Sequence, residues 1–277
     1  MRRFSQVDVF TDDAEAGWGN PVAVVHDAEG LDDAAMARFA AWTNLSETTF
    51  VLPPTVDGAD YRLRIFTPQT ELPFAGHPTL GSASAWLAAG GVPAGQHVVQ
   101  ECGAGLVRVR REEGRLAFAA PPLLRSGPVD ADLQARLRRG LGLVEDDVVD
   151  AAWTDNGPGW VSLLLRDAAT VLAARPDRGV LEGLFVGLAG PHPAGSEVAL
   201  EVRGLALGAG VDEDPVTGSL NAALAQWLQP LGHLPGTYVA AQGTALGRRG
   251  RVHVRREGDD VWVAGGTLVA VRGTVDL

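Results

Sequence analysis

The sequence predicts an α+β fold of two pseudo-symmetric halves, each a curved, mostly antiparallel sheet wrapped around one central apolar helix. Three observations predict it. A motif recurs about half a chain length after its first appearance. A charge-free helical stretch follows each copy. Short strand-like runs between Gly- and Pro-containing turns fill most of the remainder.

The repeat comes first. His77-Pro78-Thr79-Leu80-Gly81-Ser82 resembles Asp214-Pro215-Val216-Thr217-Gly218-Ser219, and the same offset matches Ala85 with Ala222, Leu87 with Leu224 and Ala88 with Ala225. Self-similarity at a fixed, long offset marks internal duplication. Weaker echoes agree. Residues 18–25 and 156–163 are each a turn feeding an apolar strand, and 101–109 and 247–254 are each a Gly-containing turn feeding another.

The elements follow from periodicity. Alternating or β-branched runs predict strands over 4–10, 21–26, 60–66, 97–101, 105–110 and 115–119, then over 252–256, 261–264 and 268–272. Leu31, Ala35, Phe39 and Trp42 recur at helical spacing, with Asp at the start, so 32–43 reads as an amphipathic surface helix. A further helix is read over 131–141. The stretches 79–89 and 217–228 carry no charge on any face. A helix apolar all round must be buried on most sides, so the strands have to wrap it. The halves are placed at 1–121 and 122–277, joined near Ala120-Pro121-Pro122, with the last strand able to return to the first half.

Composition removes several classes of function. The formal charge is −11 over 277 residues, which disfavours a nucleic-acid partner. All 23 basic residues are arginine. Without lysine there is no Walker A loop and no internal Schiff base for pyridoxal phosphate. Cys102 is the single cysteine, read as a small buried hydrophobe, so thiol-pair racemisation within one chain is excluded. The six histidines are never paired at zinc spacings, so no metal is expected. The N-terminus has no apolar signal core, and the charge-poor stretches 72–100 and 215–247 are broken by Gly, Pro, Gln and His. A cytoplasmic protein without a membrane partner is expected.

Candidate chemistry gathers at the helix starts. His77 and Asp214 each precede a proline that reads as the first helical residue, which places both at helix N-termini. Unpaired N–H groups and the helix dipole favour an anion there. If the halves pack symmetrically, both starts face one cleft suited to a carboxylate and a developing enolate-like charge. Gly76, Gly81 and Gly218 would allow close backbone approach. Glu47 is the third candidate, in an uncharged stretch from Thr43 to Pro54 before a strand at 49–52. Partial desolvation there would raise its pKa and let it take and return a proton. Ordinary uses stand beside these readings: Asp214 as an N-cap, His77 as a satisfied loop histidine, Glu47 as a cap or exposed acid. Glu213 either perturbs Asp214 or faces solvent. The acidic pairs Asp12-Asp13 and Asp146-Asp147 read as solvated loops.

Together, 44–50 (Asn-Leu-Ser-Glu-Thr-Thr-Phe), Phe66-Thr67-Pro68, 71–79 and 213–219 resemble the signature segments of the phenazine-biosynthesis (PhzF-like) family. The likeness extends from Val7-Asp8-Val9-Phe10 and Gly19-Asn20-Pro21 to 262–266. It implies the diaminopimelate-epimerase fold, with an active site between two similar halves and His77 and Asp214 where the epimerases carry cysteines. It implies a cofactor-free isomerase acting on a small cyclic or unsaturated amino or carboxylic acid, and a homodimer. By the same resemblance Glu47 is the general acid/base, and His77 and Asp214 polarise and orient the substrate. Ser46, Gly76, Gly218 and Ser219 bind its carboxylate. A C–C bond hydrolase or tautomerase, or a non-catalytic small-molecule binder, would use the same scaffold.

Overall fold

The computed structural model describes residues 1–277, which form two compact units: 1–119 with 264–277, and 120–263.

The first unit holds β1 (Arg2–Val9), β2 (Asn20–Val25), β3 (Glu47–Leu52), β4 (Tyr61–Phe66), the short β5 (Glu71–Leu72), β6 (Val98–Cys102), β7 (Gly105–Glu112), β8 (Arg115–Ala119) and the returning β17 (Thr267–Val275). Their spatial order is β17-β1-β2-β3-β4-β6-β7-β8, with β2–β3 and β4–β6 parallel and the other pairings antiparallel. The second unit holds β9 (Arg125–Pro128), β10 (Val148–Asp155), β11 (Trp160–Leu165), β12 (Phe185–Pro191), β13 (Leu200–Ala206), β14 (Thr237–Gln242) and β15 (Gly250–Glu257), followed across a tight turn by β16 (Asp260–Gly265). From β10 to β15 the pairings run antiparallel, parallel, antiparallel, parallel, antiparallel. The run from β1 through β4 and β6 to β7 has the same succession. The repeat in the sequence is thus a repeat of strand topology.

Five helices complete the units: α1 (Asp33–Thr43), α2 (Gly76–Ala88), α3 (Ala131–Leu141), α4 (Ala168–Ala173) and α5 (Gly218–Leu228). Equivalent helices occupy equivalent connections. α1 and α4 each join the two strands of the first parallel pair, and α2 and α5 those of the second. α2 packs on β1, β2, β3 and β17, with Gly76 to Ala83 buried. α5 buries Leu220, Asn221, Ala222, Ala223, Leu224, Ala225 and Leu228 against its own sheet. Burying a leucine side chain stabilises by roughly 1.5–3 kcal/mol, so neither helix has a face to spare for solvent.

Several expectations are corrected. α2 starts earlier than expected, at Gly76, so His77 lies in its first turn and Pro78 is its third residue. Proline is tolerated there because first-turn N–H groups have no intrahelical partner. α5 starts later than the motif suggested. Its N-cap is Thr217, preceded by Asp214 in an isolated bridge and by a bend at Pro215-Val216. In α1 the buried stripe is Met36, Phe39 and Ala40, while Trp42 stacks on Phe39 at 5.7 Å and faces solvent. Cys102 is only half-buried, at the end of β6, where its Sγ donates to the Gly105 carbonyl at 3.5 Å. Asp147 is not a solvated loop acid, since it receives the Val144 N–H and pairs with Arg166 at 2.9 Å. No helix is long and apolar enough to cross a membrane.

Candidate active site

In the first unit three chain segments converge on one corner. α1 ends at Asn44 in the left-handed region (φ 54°), a conformation that asparagine tolerates. The chain then re-enters the sheet with Glu47 as the first residue of β3, beside Val22 of β2. The segment before β2 is set by Asp8 of β1. Its buried Oδ2 accepts N–H bonds from Gly17 at 2.7 Å, Trp18 at 3.0 Å and Gly19 at 3.2 Å. That turn delivers Asn20-Pro21 to the start of β2, where the Pro21 carbonyl meets the His77 ring. His77, in the first turn of α2, completes the corner. Its Nδ1 stands 3.3 Å from Glu47 Oε2, and the two side chains are 5% and 15% exposed.

Burial sets the charge of this pair. It pushes the imidazole pKa down to about 3, an effect that the Pro21 carbonyl only partly opposes. His77 is therefore neutral near pH 7, and its contact with Glu47 joins a dipole to a carboxyl group and not an imidazolium to a carboxylate. The fold prefers the unprotonated ring, so this contribution to stability is full above the ordinary histidine value of 6.5 and is lost as pH falls towards 3. One pKa unit is about 1.4 kcal/mol, so acidification from pH 6.5 to pH 4.5 costs about 2–3 kcal/mol through this residue. Denaturant melts at the two pH values should show His77→Gln losing that much less than the wild type. Parallel losses in both proteins would refute the buried neutral ring.

In the second unit Asp214 sits on a scaffold of its own. Its N–H donates to the Gly204 carbonyl of β13 at 2.8 Å, an isolated antiparallel bridge that anchors the chain just ahead of a bend at Pro215-Val216. Its Oδ2 accepts from Thr217 Oγ1 at 2.7 Å. Glycine is needed at 204, because a Cβ there would stand 2.8 Å from that same hydroxyl. Fully buried Gln242 on β14 closes the arrangement. Its Oε1 receives Thr217 N at 3.0 Å and Asn221 Nδ2 at 2.8 Å, and its Nε2 donates to Thr217 Oγ1 at 2.9 Å. Asp214 is thus not the N-cap of α5. Glu213 neither faces solvent nor stands beside its neighbour as a bare charge. Arg203 grips both of its oxygens, at 3.0 and 2.8 Å.

The remaining expected residues lie close to these corners. Ser46 is half-buried beside Glu47. Gly76 opens α2, but a Cβ on it would strike the Phe118 ring, so its side faces protein packing and only its backbone is available to a ligand. Gly218 and Ser219 open α5. The Ser219 hydroxyl accepts from Trp160 Nε1 at 3.1 Å, and its carbonyl accepts from Asn156 Nδ2 at 2.8 Å. Glu47 and His77 are therefore brought together in one unit, and Asp214, Gly218 and Ser219 at one helix start in the other. A cavity of about 320 Å³ in the first unit lies at the opposite end of α2, against Trp86, Ala89 and Gly90, and contains none of these residues. Asp8, Gln242 and Arg203 were not singled out from sequence. The one local signal is an apolar residue directly before each in its strand: Val7, Ala241 and Val202.

The model of the phenazine biosynthesis-like protein family matches residues 7–274. The chain belongs to this family. The trans-2,3-dihydro-3-hydroxyanthranilate isomerase of Pseudomonas aeruginosa is 36% identical, over 93% of this chain and 91% of that protein. Antisense-enhancing sequence 1 of Schizosaccharomyces pombe is also 36% identical, over 89% and 87%. Among solved structures, a predicted epimerase of P. aeruginosa superposes with a TM-score of 0.80 at 28% identity, covering 99% of each chain. Family membership places the chain among enzymes of the isomerase and epimerase kind, on the epimerase-like fold.

Proposed function

We propose that the protein is a cofactor-independent isomerase that moves a proton between carbons of a small cyclic or unsaturated amino or carboxylic acid. The observation that carries this reading is the buried contact of Glu47 with a neutral His77. An imidazolium at 3.3 Å would hold Glu47 as a permanent carboxylate. A neutral imidazole leaves both the carboxylate and the acid accessible, which a group that takes and returns one proton requires. In the proposed cycle the Glu47 carboxylate removes a proton from one carbon, the substrate's double-bond electrons shift, and the resulting acid protonates a second carbon. No atom is gained or lost.

His77 and Asp214 orient and polarise the substrate on this reading. First-turn N–H groups at Gly76, Gly218 and Ser219, with Ser46, receive its carboxylate, because helix starts present such donors. The relatives named trans-2,3-dihydro-3-hydroxyanthranilate isomerase make that compound the first substrate to try. Family resemblance also supports a homodimer, which light scattering would test.

Turnover in D₂O provides the decisive measurement. Isomerisation through a solvent-exchanging carboxyl group should place one deuterium on a single carbon of a product otherwise unchanged in mass. A product that has gained water and split would favour a C–C bond hydrolase on the same scaffold. Stoichiometric binding of the compound without any deuterium incorporation would favour a non-catalytic binder.

A further inference from the structure

The loop that carries Asp214 is gripped at two consecutive residues by two consecutive residues of one strand. The backbone of Gly204 receives the Asp214 N–H. One residue earlier, the Arg203 side chain takes both oxygens of Glu213, Nε at 3.0 Å and Nη2 at 2.8 Å. This ion pair is almost dry, with the two side chains 7% and 9% exposed. The third guanidinium nitrogen, Nη1, donates to the carbonyls of Val171 at 3.2 Å and Ala174 at 2.8 Å. Those carbonyls belong to the C-terminal turn of α4, where carbonyls have no intrahelical donor and a cation is favoured.

Burying a charged pair away from water carries a desolvation cost that an ordinary hydrophobic pair would avoid. The pair here is bidentate and every guanidinium nitrogen is used, so the arrangement gains direction as well as energy. What it directs is the backbone entering residue 214. Between the turn at Val211 and the start of α5, this clamp, the Gly204 bridge and the bonds to Gln242 tie the chain to its own sheet.

We propose that Arg203, acting through Glu213, is the positioning residue for Asp214, fixing the loop so that the Asp214 carboxyl is held against Thr217 Oγ1 in the orientation it presents to substrate. The proposal rests on the role given to Asp214 above. Arg203 itself touches no substrate.

The test uses the full-length protein with Glu213→Gln, which weakens the clamp but leaves Arg203 on α4, and Arg203→Lys, which keeps the charge but loses the fork. Two readouts follow Asp214 directly: exchange of its backbone amide and the ¹³C titration of its side-chain carboxyl. Positioning predicts that the amide exchanges at least about tenfold faster in Glu213→Gln, as loss of a charge-assisted hydrogen bond implies. It also predicts that the carboxyl titration moves in both variants, with the first unit's amides unchanged. A pair that merely stabilises the fold would lower the melting temperature and leave the Asp214 carboxyl signal of the folded protein as in the wild type, and that outcome overturns the proposal. If Glu213→Gln does not fold, Arg203→Lys decides by the same two readouts. Turnover separates this inference from the reading beneath it. Wild-type activity in Asp214→Asn would remove the catalytic role of Asp214. A dead Asp214→Asn beside an Arg203→Lys variant with unchanged kcat and KM would remove only the positioning role.

Discussion

Replacing Glu47 with Gln should reduce turnover by about 10²–10⁴-fold while leaving the fold in place, because general acid–base catalysis typically contributes that factor. The substitution is close to isosteric. The amide fills the same volume at the head of β3, keeps a polar atom facing His77 Nδ1, and leaves the backbone pairing with β2 untouched. What it removes is the capacity to carry a proton from one carbon to another. Substrate affinity should change little, since binding is assigned to helix-start donors and to Asp214. Glu47→Asp should lie between the two, because withdrawing the carboxyl by one methylene misplaces it by more than about 1 Å, and misplacement of that size can cost about 10²-fold. Turnover of Glu47→Gln near the wild-type rate, in protein shown by melting to be folded, would end the assignment of this residue as the acid/base.

Removing residues 267–277 should abolish folding of the first unit, the largest stability effect expected here. β17 pairs with β1 from Arg2↔Val275 to Val9↔Thr267, interrupted by one bulge at Gln6/Val7. The loss extends beyond the ladder. α2 packs on β17, and Thr267 Oγ1 donates to Ser84 Oγ of that helix at 2.9 Å. Each backbone hydrogen bond contributes about 0.5–1.5 kcal/mol net. A domain's whole stability is about 5–15 kcal/mol, so a ladder of this length matches it. Without β17 the edge of β1 would be bare over eight residues, a template for aggregation. Calorimetry and solubility of the truncated chain provide the check. A truncated protein that stays soluble and melts within a few degrees of the wild type would show that β17 is dispensable.

The parts of this architecture that were legible in sequence are those where one physical constraint acts alone. The two central helices are charge-free on all faces, which has few explanations besides burial within a wrapping sheet. α3 was bounded correctly because Asp130 caps it and Gly142 terminates it in the left-handed region. Of the strands from β10 to β14, the sequence marks only β11, through the turn and apolar run at 156–163. β13 is buried at every residue although it carries Glu201 and Arg203, whose charges read as exposed until their partners His192 and Glu213 are known. α4 has only six residues, too few for a helical period to register.

At the site, residue types were legible and their placement less so. Proline after His77 and after Asp214 suggested one device used twice, whereas the structure uses two: His77 inside a helix, Asp214 ahead of one. The difference is tertiary. The Gly204 bridge and Gln242 hold residues 214–217 outside the helix, and no local propensity in that segment announces either partner. Gln100, fully buried on β6 and donating to Thr79 Oγ1 at 3.0 Å, is the first unit's analogue of Gln242. Next to Glu101 in β6, an uncharged glutamine carries no signal of its own.

The return of β17 has a consequence for how this chain is made. The sheet begun at residue 2 lacks its outermost strand until residue 275 has left the ribosome, whereas 120–263 is an uninterrupted segment whose strands are all present earlier. Synthesis from the N-terminus therefore delivers the later half ready to collapse first. The earlier half must wait with β1 and its inner helix partly uncovered, a long-lived exposure at which chaperone engagement should concentrate.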